Sequence, residues 1–270
     1  MTTLELRGVS KEYRIRGARG RERKLLAVQD VSFTLESGRT IGLVGQSGSG
    51  KSTIAKLLMQ LERPTRGEIL LDGAPIRRHG AGLREYRHRV QMVFQDPFAS
   101  LNPYHSVAHH LRRPLQIHDR ARTSAEVDAA VERLLERVRL TPATQLAAKH
   151  PHELSGGQRQ RVAIARALAP SPEMLVADEP VSMLDVSIRL GVLNLLAQLQ
   201  REENLGVLYI THDLATARHF SDEILVMYKG QIVERGPADD VITNPQHPYT
   251  RRLAAAAPNP ELRLGNRAAG

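Results

Sequence analysis

Short apolar runs alternate with longer amphipathic stretches over most of this chain, and that alternation predicts its architecture. Ile41-Gly42-Leu43-Val44 and Met174-Leu175-Val176-Ala177 are continuous and apolar, and residues 206–211 and 223–228 are nearly so. Runs of this length with no polar face are typical of strands buried on both sides of a parallel sheet. Val90 to Phe94 reads as a further strand, and Gln231 to Glu234 as another after the turn Lys229-Gly230. Between the strands, Ile188, Val192, Leu195, Leu196 and Leu199 recur at helical spacing. Strands alternating with helices imply a parallel sheet with helices on both sides.

Two regions break that pattern. Near the N-terminus, residues 4–9 and 27–35 read as strands, and in the second Val31, Phe33 and Leu35 alternate with Ser32 and Thr34 as in a half-buried strand. With Glu68 to Leu71 and the turn Asp72-Gly73 they predict an antiparallel β lobe. Residues 98–150 are rich in His and Arg, and one helix is clear there: Thr123 and Glu126 form a capping box ahead of Val127, Val131, Leu134, Leu135 and Val138. We read a helical insertion, about 98 to 170, between two halves of an α/β core. There are no internal repeats and no low-complexity tract.

Composition narrows the partners more than the fold. The chain has 270 residues with 41% hydrophobic content, enough to bury a sizeable core, and 38 Lys+Arg against 29 Asp+Glu give +9. That excess suits an anionic partner: nucleotide, nucleic acid or a charged membrane face. Zero cysteines exclude disulfides, thiolate zinc sites and cysteine-ligated iron–sulfur clusters. No apolar run approaches the ~18 residues of a membrane span, and Met1 to Arg16 has no signal-peptide core, so the expectation is a soluble subunit. Residues 14–24 carry six cations in eleven positions and read as a solvated basic loop; contact of Arg19, Arg21 and Arg23 with anionic headgroups is the alternative.

The candidate chemistry begins where strand 41–44 ends. Gly45-Gln46-Ser47-Gly48-Ser49-Gly50-Lys51-Ser52-Thr53 fits GxxxxGK[ST] and precedes a helix predicted over Thr53 to Leu61. A strand feeding a glycine-rich turn and then a helix aims backbone N–H groups and the helix dipole at one anion. Lys51 would reach the β and γ phosphates of ATP, and Ser52 would help to hold Mg²⁺. Gln95, Asp178 with Glu179, and His212 also follow apolar strands, and ligands of open α/β sheets sit beyond those strand ends. In phosphoryl transfer, Asp178 would hold the metal and Glu179 would be the general base. Gln95 would contact metal and water, and His212 would donate to the γ-phosphate.

A second anion site is predicted at Leu154-Ser155-Gly156-Gly157-Gln158, opening a helix over Arg159 to Leu168 with Val162, Ala163 and Ala167 on its apolar side. This LSGGQ, with the phosphate loop, Gln95, Asp178-Glu179, Ser182-Met183-Leu184-Asp185 and His212 in order, resembles the ATP-binding cassette ATPases. The resemblance implies a P-loop NTPase (RecA-like) parallel-sheet core with an N-terminal antiparallel β lobe and an inserted helical signature subdomain. It also implies a head-to-tail dimer in which the phosphate loop of one subunit and Ser155, Gly156, Gly157 and Gln158 of the other sandwich ATP. In that scheme Tyr13 stacks on adenine. Met183 departs from the small residue usual in that loop.

Phe94 to Pro103 and Asn244-Pro245-Gln246-His247-Pro248-Tyr249-Thr250-Arg251-Arg252-Leu253 look like the subunits that energise oligopeptide, dipeptide and nickel importers. That resemblance implies a peripheral ATPase on the cytoplasmic face of the membrane. Its partners would be two transmembrane permease subunits, a second ATPase subunit (a related cassette or a second copy) and an extracellular solute-binding protein. The expected unit is residues 1–256 followed by a tail, 257–270. Substitutions at Phe98, Leu101 or Tyr104 are expected to uncouple transport from hydrolysis. The competing reading is a soluble cassette ATPase acting on nucleic acid or ribosomes.

Overall fold

A computed structural model describes residues 1–16, 22–118, 120–121 and 123–256. The elements in chain order are β1 (Thr3–Arg16), β2 (Glu22–Glu36), β3 (Thr40–Val44), α1 (Lys51–Leu58), β4 (Arg66–Leu71), β5 (Ala74–Pro75), α2 (Gly80–Arg89) and β6 (Val90–Val93). Then come α3 (Pro97–Ser100), α4 (Val107–Ile117), α5 (Ser124–Arg137), α6 (Ala143–Ala148), a 3₁₀ turn over Pro151–Glu153, and α7 (Gly156–Leu168). The chain continues through β7 (Met174–Asp178), α8 (Val186–Glu203), β8 (Gly206–Thr211), α9 (Leu214–Phe220), β9 (Glu223–Tyr228), β10 (Gln231–Pro237), α10 (Ala238–Thr243) and α11 (Pro248–Ala256).

Six strands form one sheet in the order β10-β9-β3-β8-β7-β6, parallel except for β10, which pairs antiparallel with β9. Along these strands the apolar residues look uniform, but the pleat sends alternate ones to opposite faces. Leu43, Val176, Leu208, Ile210, Leu225 and Met227 enter one core; Val44, Leu175, Ala177, Val207, Tyr209, Ile224 and Val226 enter the other. The second core takes in α4, α5, α7 and α8. The first is closed mostly by a four-stranded antiparallel sheet, β2-β1-β4-β5, with α1 and Tyr86 of α2 beside it. One face of the parallel sheet is therefore covered more by strands than by helices, because β1 and β2 present an apolar set of their own: Leu4, Leu6, Val9, Val28, Val31, Phe33 and Leu35.

Three local expectations shift. β1 and β2 are a long hairpin, not two short strands: Arg14 pairs with Lys24 and Arg16 with Glu22, so most of the basic stretch is ladder. Residues 17–21, with Arg19 and Arg21 of the basic stretch, and residues 257–270 lie outside the described residues. Helix α1 begins at Lys51, two residues early, because Gly50 adopts a left-handed N-cap. Helix α7 begins at Gly156, because Ser155 and Gln158 cap it reciprocally. Among the described residues no helix is long and apolar enough to cross a membrane.

Candidate functional site

The five parallel strands deliver their carboxyl ends to one edge, and the predicted chemistry gathers there. β3 runs into the phosphate loop, where the backbone itself demands glycine. A Cβ at Gly45 would lie 2.3 Å from the Met227 carbonyl oxygen, and Gly50, at φ 113°, would place one 2.4 Å from that of Ala27. Gly50, as the N-cap, has no side chain to cap α1, and among the described residues no side-chain cap bond closes its first turn. Lys51 is only 5% exposed, with Nζ donating to the carbonyls of Gly45 (2.6 Å) and Gln46 (3.1 Å). Burial lowers its pKa, opposed by the charges of Glu179 and Asp178. A lysine so placed is positive charge concentrated behind an open helix N-terminus, which suits a polyphosphate.

β7 ends in the two carboxylates, and they face different surroundings. Asp178 is 8% exposed, and burial, then the charge of Glu179, push its pKa up to about 6 against the pull of Lys51. An acid raised by burial is one that a nearby divalent cation would return to its charged form. Ser52, Asp178 and Gln95 are hard oxygen donors of the kind Mg²⁺ takes, so the residues fit that ion. Glu179 sits at φ 44°, a left-handed conformation unusual for a side-chain-bearing residue. Its carbonyl accepts from the Ser182 amide (3.1 Å) and hydroxyl (3.0 Å), which pins the following loop. His212 Nδ1 donates to Glu179 Oε2 at 3.1 Å, and Gln95 Nε2 reaches the same oxygen at 3.4 Å. Residues just beyond β6 and β8 thus converge on the carboxylate just beyond β7.

One cleft of about 980 Å³ is lined by Tyr13, Gln46, Ser47, Gly48, Gly50, Lys51, Ser52, Thr53, Gln95, Glu179 and His212. Gly45 and Ser49 are buried, and the Ser49 hydroxyl has no hydrogen-bond partner among the described residues. Asp178 instead lines a neighbouring groove of about 790 Å³, which shares Gln95 with the cleft. Ser155, Gly156, Gly157 and Gln158 do not line the cleft of their own chain. There the Ser155 hydroxyl accepts from the Gln158 amide (3.2 Å), and the Gln158 side-chain oxygen accepts from the Ser155 amide (3.0 Å). A Cβ on Gly157 would meet Ile188 at 2.7 Å, so the small residues also let α7 sit close to α8.

The neighbouring groove joins the cleft to the helical insertion. Asp96 follows Gln95 and accepts from the amides of Phe98 and Ala99, so it caps α3. The Phe98 ring lies 4.3 Å from the guanidinium carbon of Arg159 in α7. Phe98 and Tyr104 are exposed, but Leu101 is 1% exposed and part of the core. Leu101 therefore drops out as a surface contact: its substitution would open a cavity.

Among the described residues, sequence reasoning missed six contributors to the cleft: Leu25, Leu26, Ala27, Lys229, Gly230 and Leu253. It also missed Tyr249, whose hydroxyl accepts from the Gln46 amide at 2.9 Å. Residues 244–253 resemble a family segment, but nothing local to them says where they would point.

Comparison with known proteins places the chain in a family. A family model described as ABC transporter matches residues 28–182, and a second, described as Oligopeptide/dipeptide transporter, C-terminal region, matches 233–269. The oligopeptide transport ATP-binding protein OppF of Bacillus subtilis (strain 168) is 48% identical over 237 residues, covering 87% of this chain and 77% of that protein. The glutathione import ATP-binding protein GsiA of Salmonella typhimurium is 47% identical over 261 residues, 94% of this chain but 41% of that protein, so the chain spans about two fifths of that relative's length. Among solved structures, the ATP-binding cassette MJ0796, dimeric and bound to ADP and Pi, matches with TM-score 0.76 and 30% identity over 87% of this chain and 98% of its own. CbiO1 of Clostridium perfringens, part of the cbiONQ transporter complex, matches with TM-score 0.77 and 26% identity over 98% of both chains. Since the first family model spans more than half of the sequence and the Bacillus relative shares nearly half of its residues, the chain belongs to the ABC transporter family, as one of its ATPases.

Proposed function

We propose that this chain, through residues 1–256, is the ATP-hydrolysing subunit of a membrane importer for peptides or a related solute. The convergence of His212 and Gln95 on Glu179, at the rim of a cleft floored by the phosphate loop, carries the catalytic part of the reading. ATP would lie with adenine at Tyr13 and phosphates on residues 45–53. Glu179 would take the proton of the attacking water while His212 and Gln95 hold that carboxylate and the water in line. Ser52, Asp178 and Gln95 would hold Mg²⁺, which when bound neutralises charge on the β and γ phosphates.

Ser155 to Gln158 lie outside the cleft of their own chain, and this supports closure by a second ATPase subunit, a related cassette or a second copy. The groove beside Gln95, with Phe98 and Tyr104 exposed at α3 and its following turn, would seat a transmembrane permease at the cytoplasmic face of the membrane. The relatives named for oligopeptide transport and glutathione import, with the second family model at 233–269, support peptide import, and an extracellular solute-binding protein would deliver the cargo. The test is to tag the Glu179→Gln chain in its host, trap with ATP, solubilise membranes gently and identify what co-purifies. Two multispan proteins, a second cassette and a binding protein are expected. Ribosomes or DNA without a membrane protein would overturn the import reading.

A further inference from the structure

The C-terminal segment reaches the phosphate loop, and no role assigned so far uses that contact. The Gly45–Gln46 peptide is held from both sides: Lys51 Nζ donates to its carbonyl at 2.6 Å, and its N–H donates to Tyr249 Oη at 2.9 Å. A peptide group is planar, so fixing the N–H fixes the direction of the carbonyl and, through it, the place of the lysine. Tyr249 is itself fixed. It is 3% exposed, and its ring stacks on Tyr228 at 4.2 Å, at the end of the strand whose next residue, Lys229, lines the cleft.

The turn before Tyr249 is built with matching care. Both oxygens of Glu234 accept backbone amides, from Gln246 at 2.7 Å and His247 at 2.9 Å. His247 Nδ1 accepts from the Tyr249 amide at 3.1 Å, and Arg251 Nε donates back to the Pro245 carbonyl at 3.0 Å. Leu253, one helical turn beyond Tyr249, lines the nucleotide cleft. The Asn-Pro-Gln-His-Pro-Tyr segment therefore has a mechanical output: it delivers one phenol oxygen to the first peptide of the loop.

We propose that Tyr249 is a positioning residue of the ATPase, orienting the Gly45–Gln46 peptide and hence Lys51, and that the C-terminal segment is by this contact part of the nucleotide site. The proposal rests on the phosphate loop as the ATP site. Glu234 is the remote end of the same device, since loosening the turn moves the phenol.

The test uses the full chain, with steady-state ATPase kinetics, equilibrium binding of a fluorescent ATP analogue and thermal melts. Tyr249→Phe keeps the ring and its stack and deletes only the acceptor. It is expected to weaken ATP binding and raise KM about three- to tenfold, the range of one net hydrogen bond, more than it lowers kcat, while the melting temperature falls by no more than about 2–6 °C. Glu234→Ala should raise KM in the same sense, and the double variant should do no worse than the larger single one, because both act through one contact. Unchanged KM and affinity in Tyr249→Phe, with only Tyr249→Ala harmful and then through a lowered melting temperature, would make the tyrosine mere packing and overturn the proposal. If Lys51→Ala still weakens binding in that case, the phosphate-loop site itself survives.

Discussion

Two glycine-bearing helix N-termini, those of α1 and α7, share a sequence style and are finished in opposite ways. At α1, Gly50 is left-handed and no side chain caps the first turn, while a buried lysine folds back beneath it. At α7, Ser155 and Gln158 satisfy each other's amides in a closed capping box. An open N-terminus with a nearby cation is built to take a highly charged ligand on its own. A closed one carries less unspent hydrogen-bonding capacity, so it contributes only when something else brings a ligand to it. That difference is why the first is the floor of the cleft and the second, in our reading, is offered to a neighbouring subunit.

The comparison breaks most sharply at the carboxylate beside the open end. Glu179→Gln should lower turnover by roughly 10²–10⁴-fold, the usual range for a general base, with ATP binding retained; turnover within a few-fold of normal would remove Glu179 from that role. Lys51→Ala attacks the open end itself. It should weaken ATP binding by about 10–100-fold, as expected when a hydrogen bond from a charged group is lost, and equilibrium titration would measure it.

Asp178 predicts a pH dependence. Its folded pKa of about 6 lies above the ordinary carboxylate value, so between about pH 4 and pH 6 the folded state holds a proton that the unfolded chain releases. Stability therefore falls as pH rises through that window. Asp178→Asn should be more stable than the natural chain above pH 6, by at most roughly 2–3 kcal/mol, and no more stable near pH 4. Urea melts at the two pH values would show it, and equal gains at both would contradict the assignment to this carboxyl.

The smallest effect compares two capping boxes. Ser155→Ala and Thr123→Ala should each cost about 1 kcal/mol of stability. Only the first should also reduce turnover in the assembled ATPase, because Thr123 opens α5, away from the cleft. Equal turnover in both variants would mean that Ser155 serves its helix alone.

Much of this was readable in advance, for physical reasons. The phosphate loop announces itself because its glycines answer backbone constraints that only glycine meets, and the buried strands because both of their faces are apolar. Ser155 and Gln158 have the same capping-box spacing as Thr123 and Glu126, so the start of α7 is legible in the sequence too. The extent of β1 and β2 was hidden because charged residues such as Arg14 and Lys24 pair across an exposed hairpin without an apolar signature. Tyr249 was beyond reach for a different reason: its partner, Gln46, is 203 positions away, and only the packing of β9, β10 and α11 brings them together.

The central claim is that the open N-terminus of one cassette meets the closed one of another across ATP. The chain has no cysteine, so Ser47→Cys in the Glu179→Gln background supplies a single thiol at the exposed tip of the phosphate loop. A photoactivatable label there, mapped by mass spectrometry in the membrane-extracted complex, should form ATP-dependent adducts in the signature segment of a second cassette, at residues 155–158 if that cassette is another copy. Adducts confined to the same chain, or identical with and without ATP, would contradict the account.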